Sequence, residues 1–431
     1  MKMLDIEVFE GGFKETELGP LPEEWEVVRL GEVVKIIKGK KPKTLNESPS
    51  KNSLPYLTAE YFRYGVPKQF VDIEVEKDLP ICKKEDVVLI WDGSKAGQVF
   101  TGLEGVLAST MVKIIPTINN LDKLYLYCFL ATKFDYLNSQ TTGSTIPHVN
   151  KTAFFNLPLP LPPLEEQKAI AGILSTVQSV IEKTEKVINA LKNLKKSMMK
   201  HLFTYGPVAE EEAEKVELKE TEIGLIPKHW EVVRVGEVYN ITKKPKGLRI
   251  ENYDAVPFVP MEGIGFGAFS VNFIIKDPKE ISSGTYFEKG DLLLAKITPS
   301  FENGKQAIAD NIPIDFGIAT TEVIPIKQTE KGLISYLFYY LQKPDVRQNL
   351  ASRMEGTTGR QRLPKEALLN TLIPLPPLEE QQKIAQILQS IDQRIEKEEK
   401  YKNALQNLFK SLLHNLMTGK IRVRVKDHGE D

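Results

Sequence analysis

With 431 residues, 41% hydrophobic and 27% charged, the chain has the make-up of an ordinary globular protein, with room for roughly two to four domains. No apolar run approaches the ~18–20 residues of a membrane-spanning helix, and the opening MKMLDIEVFE lacks the basic-then-apolar profile of a signal peptide, so a cytoplasmic protein is expected. A net charge of −1 argues against a uniformly basic nucleic-acid binder, and the two cysteines, Cys82 and Cys128, support neither a disulfide framework nor a zinc cluster.

The first predicted element is WEVVRLGEV, whose β-branched content reads as a strand. It ends the segment TELGPLPEEWEVVRLGEV at 16–33, which returns as TEIGLIPKHWEVVRVGEV at 221–238. LPPLEEQ at 161–167 returns at 375–381, and fainter echoes keep their order in between: PYLTAE with PFVPME, KKEDVVLI with EKGDLLLA, ASTMVKIIP with ATTEVIPIK. The period is half the protein, so the chain reads as an internal duplication. Trp25 matches Trp230 and Lys38 matches Lys243; by the time Glu380 takes the place of Glu166, the second copy has gained about nine residues. Identity at the ends with drift in the middle implies one frame carrying two different surfaces.

Directly after the first strand, KIIKGKKPK carries Lys35, Lys38, Lys40, Lys41 and Lys43 without an acid, and KKPKGLR repeats the basic loop with Lys243, Lys244, Lys246 and Arg249. DVVLIW and MVKIIP read as further strands, whereas LDKLYLYCFLATKFDYLNSQ and GLISYLFYYLQKPDVRQNLAS have helical spacing. Each half closes with a polar turn, TTGSTIPHVNK in the first and EGTTGRQRLPK in the second. Those turns lead through KTAFFNLPLPLPP and KEALLNTLIPLPP into a long helix.

The helices carry the clearest periodicity. Ile170, Ile173, Val177, Val180, Val187, Leu191, Leu194 and Met198 recur at three- and four-residue steps, with Thr184 and His201 filling the remaining places. That is a coiled-coil seam of about five heptads. The second helix repeats it with Ile384, Ile387, Ile391, Ile395, Leu405, Leu408 and Leu412; Arg394, Glu398 and Tyr401 interrupt it, which predicts a local stagger. Proline before each helix suits the N-terminus, and Glu165, Glu166, Glu379 and Glu380 complement the positive end of the helix dipole. At about 1.5 Å per residue each helix should run roughly 60 Å. If the two halves share one structure, the helices must pair antiparallel within the chain, with the two globular halves at opposite ends; the alternative use of such heptads is a homodimerising coil.

No catalytic constellation emerges. Gly263-Ile264-Gly265-Phe266-Gly267 lacks the third glycine of a dinucleotide-binding turn at the required spacing and runs into AFSVNFII, which reads as strand. Thr298-Pro299-Ser300-Phe301 is faintly similar to the adenine-flipping loop of amino-methyltransferases, but no methyl-donor glycine motif accompanies it. Five histidines are too scattered for a metal site or a triad, so no cofactor and no metal are expected.

A variable domain, a closing glycine turn, a PLPPLEEQ lead-in and a long helix, all repeated once over nearly the whole chain, resemble the specificity subunit of type I restriction-modification systems. The resemblance implies an α+β chain with two globular mixed α/β target-recognition domains related by internal duplication and joined by a long antiparallel two-helix coiled coil. The boundaries would be 1–160 for the first domain, 161–205 for the first helix, 206–374 for the second domain, 375–418 for the second helix and 419–431 for a tail. It further implies a non-catalytic DNA-reading subunit. Each domain would contact half of a split double-stranded target, and the coil would set the spacing and dock two methyltransferase subunits and, through the complex, restriction subunits. The alternative is a coiled-coil adaptor with two protein-binding ends, favoured by the near-neutral charge.

Reading DNA takes cations for phosphates and forked or amide side chains for base edges. Phosphate contacts are expected from Lys38, Lys40, Lys41 and Lys43, and from Lys243, Lys244, Lys246 and Arg249; for any one of them a solvated surface charge is the competing explanation. Base readout is expected from the closing turns, Ser144, Thr145 and His148 in the first and Arg360, Gln361 and Arg362 in the second, against a role in helix lead-in packing. Ser94, Lys95 and Gln98, with Lys296, Asn303 and Lys305, form a third set.

Overall fold

The duplication is visible strand by strand. The computed structural model describes residues 4–8, 11–143, 145–357 and 359–425 and divides into two compact units, the first comprising 1–185 and 400–431, the second 186–399.

In the first unit the run Val87–Ile90 is buried throughout because it lies inside a four-stranded antiparallel sheet, between Val99–Phe100 and Met111–Pro116, with Val34–Lys38 on the far edge. Side chains on a strand alternate between faces. Val87 and Leu89 therefore enter the core that contains Trp25 and the long helices, while Val88 and Ile90 enter a second core. That second core is closed by another four-stranded sheet, in which Ser53–Leu57 pairs parallel with Gly105–Leu107. A strand filled on both faces has no polar alternation to show, which is why DVVLIW reads as a continuous apolar run.

The second unit repeats the plan. Leu292–Ala295 sits between Val323–Lys327 and Gln306–Ile308, with Leu292 and Leu294 in one core and Leu293 in the other. Val256–Val259 pairs parallel with Phe316–Ala319 as its counterpart does. Among its described elements are also a strand Phe266–Ala268 on the sheet edge and a hairpin of Glu355–Thr357 with Arg360–Arg362.

WEVVRLGEV is a strand only over Glu26–Arg29; LGEV turns into one turn of helix, Leu30–Val33. Glu32 accepts from the Arg29 N–H, closing the turn, so local capping overrides β propensity there. The strand pairs with Pro158–Leu161, as Glu231–Arg234 pairs with Leu372–Leu375. The ends of the chain also meet: Leu4–Val8 pairs antiparallel with Ile421–Val425.

The long helices span Leu164–Tyr205 and Leu378–Met417, and each contributes one half to each unit. In the first unit Ile170 and Leu174, near the start of the first helix, share a core with Leu412 and Leu416, near the end of the second. In the second unit Met198 and Leu202, near the end of the first, share a core with Ile384 and Leu388, near the start of the second. The pairing is antiparallel.

The seam runs in a different phase from the one read off the sequence. Positions 170, 174, 177, 181, 184, 188, 191, 195, 198 and 202 are all at least partly buried, and so are 384, 388, 391, 395, 398, 402, 405, 409, 412 and 416. Both series step by four and three without a break, so the second helix has no stagger. Val187, Leu194 and Leu408 are exposed at 42%, 46% and 47% and lie off the seam, and Val180 is only half-buried beside the buried Ile181. Two apolar phases one residue apart coexist in this sequence, and the buried one takes in polar members that find partners. Lys195 pairs with Asp392, which also accepts from Tyr339. Glu398 pairs with Arg394. Ile173, Ile387, Val177, Leu191, Leu405 and Leu412 are half-buried, and Ile170, Ile384 and Ile391 are buried.

The repeated motifs are joints of the frame. Trp25 donates its indole N–H to Glu166 at 3.1 Å, and Trp230 donates to Glu380 at 2.8 Å. Gln167 is fully buried, accepting from the Asp122 N–H and donating to the carbonyls of Asn120 and Pro162; Gln381 holds Leu333, Lys331 and Pro376 in the same way. Glu165 stays exposed beside Lys168, where dipole compensation suffices to explain it, but Glu166 is a buried structural acid.

Candidate nucleic-acid interface

Three sequence segments converge in the first unit. Lys38 ends the edge strand, and its ammonium lies 3.0 Å from Asp92, the second residue after strand Val87–Ile90. The other Asp92 oxygen meets His148 Nδ1 at 2.6 Å. Backbone bonds fix this corner: Gly93 donates to Pro147 and Val149 donates to Trp91, while Thr142 and His148 exchange both of theirs. Gly143 adopts φ +97°, and a Cβ there would stand 2.6 Å from the Ile146 carbonyl, so the closing turn requires glycine. Thr145 is exposed on this turn; Ser144 lies outside the described residues. Beside it Gln98 accepts from Arg63, and Ser94 and Lys95 are exposed.

The rest of the basic loop does not join that cluster. Lys40, Lys41 and Lys43 are exposed, but Lys40 donates to the Asp78 carbonyl and the Lys43 N–H is held by Glu76. Gly39 lets the loop leave the sheet, since a Cβ would lie 2.0 Å from the Ala108 carbonyl.

In the second unit the equivalent corner is built differently. The hairpin's inner strand is stitched to the loop at 296–298: Thr298 donates to the Gln361 carbonyl, Gln361 donates to the Thr298 hydroxyl, and Leu363 donates to the Lys296 carbonyl. Arg362 makes a two-pronged pair with Glu322, at 2.9 and 2.6 Å. Its fork is therefore already engaged, and the exposed Arg360 is the guanidinium left facing outward. The Arg362 hydrogen bond outweighs partial burial and holds the Glu322 carboxyl below its usual range, helped by Lys296 and Arg360. Burial lowers Lys296, with Lys365 and Arg362 adding to the effect against the pull of Glu322. Arg362, Lys296 and Arg360 thus act on one acid, and Lys365 on Lys296. Lys243, Lys244, Lys246 and Arg249 are exposed on a separate loop, turned at Gly247 with φ +90°.

Sequence reasoning missed the acids Asp92 and Glu322, which organise each corner, and Lys365, which opens a short helix. A single acid at a strand end has no spacing to betray it.

Phe266–Ala268 forms a strand with no helix after it, so the glycines before it cradle no dinucleotide by the usual route. Burial pushes both Cys82 and Cys128 up to about 12, leaving them as inert thiols. Among the described residues no group of three or more His, Cys, Asp or Glu could hold a metal, and no helix is long and apolar enough to cross a membrane.

Comparison with known proteins supplies the context. The type I restriction modification DNA specificity domain matches residues 22–193 and again 227–407. The chain is 39% identical over 422 residues to the type I restriction enzyme MjaVIII specificity subunit of Methanocaldococcus jannaschii, covering 96% of this chain and 97% of that one. It is 30% identical to the putative MjaX specificity subunit of the same organism, over 96% and 98% of the two chains. The crystal structure of the S subunit from M. genitalium superimposes with a TM-score of 0.59 at 16% identity, covering 91% of this chain and 96% of that one.

Proposed function

Because the chain belongs to the type I restriction-modification DNA specificity family, we propose that it reads DNA for partner enzymes and performs no chemistry itself. Each unit reads one half of a bipartite, asymmetric double-stranded target, the two halves differing because the two corners differ. The observation that carries this is the replacement of Lys38–Asp92–His148 in one unit by Arg362–Glu322 with Lys296 and Arg360 in the other, on a frame that is otherwise repeated. A fixed frame with exchanged corner chemistry is what two readers of unlike sequences require.

The heads are taken as residues 1–160 and 206–374. The coil between them sets the gap and binds two methyltransferase subunits, through which nuclease subunits join. Val187 and Leu194 on the first helix, and Tyr401 and Leu408 at the matching steps of the second, are apolar and exposed. They suit a docking surface present twice in pseudo-symmetric form.

The test is single-molecule methylation mapping of DNA from a host expressing the chain with its cognate methyltransferase. A split asymmetric target is expected. Replacing residues 39–155 should change one half only, and removing one heptad from both helices should shorten the gap without changing either half. An undivided target, or a gap indifferent to helix length, overturns the reading.

A further inference from the structure

Arg347 is a buried cation that forms no ion pair with an acid among the described residues. It lies in the helix Pro344–Ala351 at 8% exposure. Its guanidinium donates to the Phe301 carbonyl at 3.1 Å and to the side-chain oxygen of Gln306, both neutral. Burial pulls it down to about 10, so it stays charged at neutral pH. A buried charge without a counter-ion is costly, and the frame does not need this one. Gln306 pairs with Leu294 where, in the first unit, Val99 pairs with Leu89.

The charge borders an open cavity of about 520 Å³ lined by Phe266, Glu302, Asn303, Gln342, Arg347 and Gln348, among others. Gln342 takes the ammonium of Lys195 on its oxygen, which fixes the amide orientation, and its buried nitrogen finds no acceptor among the described residues. Lys305 stands over the ring of Phe266, itself 69% exposed at the mouth. The cavity therefore offers a guanidinium, an unpartnered amide N–H and a nearby ammonium, with Glu302 as the opposing charge on the rim. Donors in excess call for a ligand made of acceptors.

We propose that this cavity takes a backbone phosphate of the DNA read by the second unit. The inference rests on the DNA-reading function proposed above. It selects DNA over an acidic peptide because the segment 298–305 links the two places: Thr298 is bonded to Gln361 of the hairpin, and Asn303 and Gly304 line the cavity. A duplex lying on Lys296 and Arg360 would bring a phosphate of the same strand or its complement to Arg347. The first unit has Val99 where the second has Gln306, so the two half-sites would differ in backbone grip as well as in base readout.

The test uses the chain assembled with its methyltransferase and a duplex carrying the sequence that the complex methylates. Arg347→Met is expected to weaken binding about ten- to a hundredfold, the range of a lost charged hydrogen bond, and to reduce the log–log salt slope by about one, the value for one phosphate contact. Arg347→Lys should keep the slope. A single neutral methylphosphonate, scanned along the second half-site, should weaken the wild type at one phosphate and weaken Gln342→Leu less there. Wild-type binding that is sequence-specific and salt-dependent, with Arg347→Met unchanged or weakened at constant slope, overturns the phosphate site and leaves the function standing. Wild-type complex without such binding overturns both. If Arg347→Met does not fold, the scan decides alone, and no sensitive phosphate there means no site.

Discussion

Glu166 receives two nitrogens of Arg422, at 2.5 and 2.8 Å, across 256 residues of sequence. Both are buried, and Trp25 donates to the same carboxylate. In the other unit the corresponding Glu380 has Trp230 and the exposed His229, and no arginine among the described residues. Glu166→Ala would leave the buried Arg422 with only the exposed Glu24, 2.8 Å away, as its acid, a loss of about 3 kcal/mol. Glu380→Ala would remove hydrogen bonds at a wetter place, about 1 kcal/mol. Denaturant unfolding of the two variants compares them, and equal losses would show that Arg422 adds nothing to the first joint.

A second contrast between matched positions concerns pH. Asp86 and Asp291 both open the central strand of their units, in KKED and EKGD. Burial alone would raise Asp86, but bonds from Lys113 and Lys123 outweigh it and hold the carboxyl at about 2. Asp291 has no lysine so close, and burial pushes it up to about 6 despite the bond from the Glu288 N–H. A lowered folded value gives stability that is present above about pH 4 and lost as pH falls toward 2; a raised one gives stability present below about pH 4 and lost as pH rises through 6. Asp291→Asn should therefore flatten the stability profile between about pH 4 and 6 and stabilise the protein at neutral pH by on the order of 1–2 kcal/mol. Asp86→Asn should destabilise it there. Thermal unfolding across pH reads both, and a steeper profile in Asp291→Asn would refute the assignment.

The coil shows how far the sequence could be read. Duplication, helix ends and antiparallel pairing were legible because WEVVR, LPPLEEQ and the heptads recur in order. The seam's phase was not, because hydrophobicity prefers Leu194 to Lys195, whereas Asp392 and Tyr339 make Lys195 the buried one. The same limit applied at the corners: the basic loops and closing turns were visible, but only folding brings Asp92 to Lys38 and Glu322 to Arg362. The corrected phase makes a prediction. Ile188→Ala should cost about 2–4 kcal/mol as a buried truncation, and Val187→Gln should change stability by no more than about 0.5 kcal/mol. Val187→Gln should instead weaken assembly with the methyltransferase, measured by co-purification or sedimentation. Reversed stabilities would return the seam to the other phase.

The two arginines of the closing hairpin separate readout from support. Arg360 is exposed with no ion pair among the described residues, whereas both prongs of Arg362 grip Glu322, on the turn that leads into the sheet strand Val323–Lys327. Removing an exposed side chain changes stability little, while removing one partner of a two-pronged pair leaves Glu322 beside Lys296 and Arg360 with its main bond gone. Arg360→Ala should keep the unfolding temperature and either relax the methylated sequence at one position of the second half-site, costing about 1–3 kcal/mol of discrimination, or, if Arg360 meets a phosphate, weaken all sequences equally and lower the salt slope by about one. Arg362→Ala should lower the unfolding temperature, and Arg362→Lys should not fully restore it, because an ammonium cannot supply the paired prongs. Methylation mapping and unfolding of both variants distinguish the roles, and a stability loss confined to Arg360→Ala would exchange them.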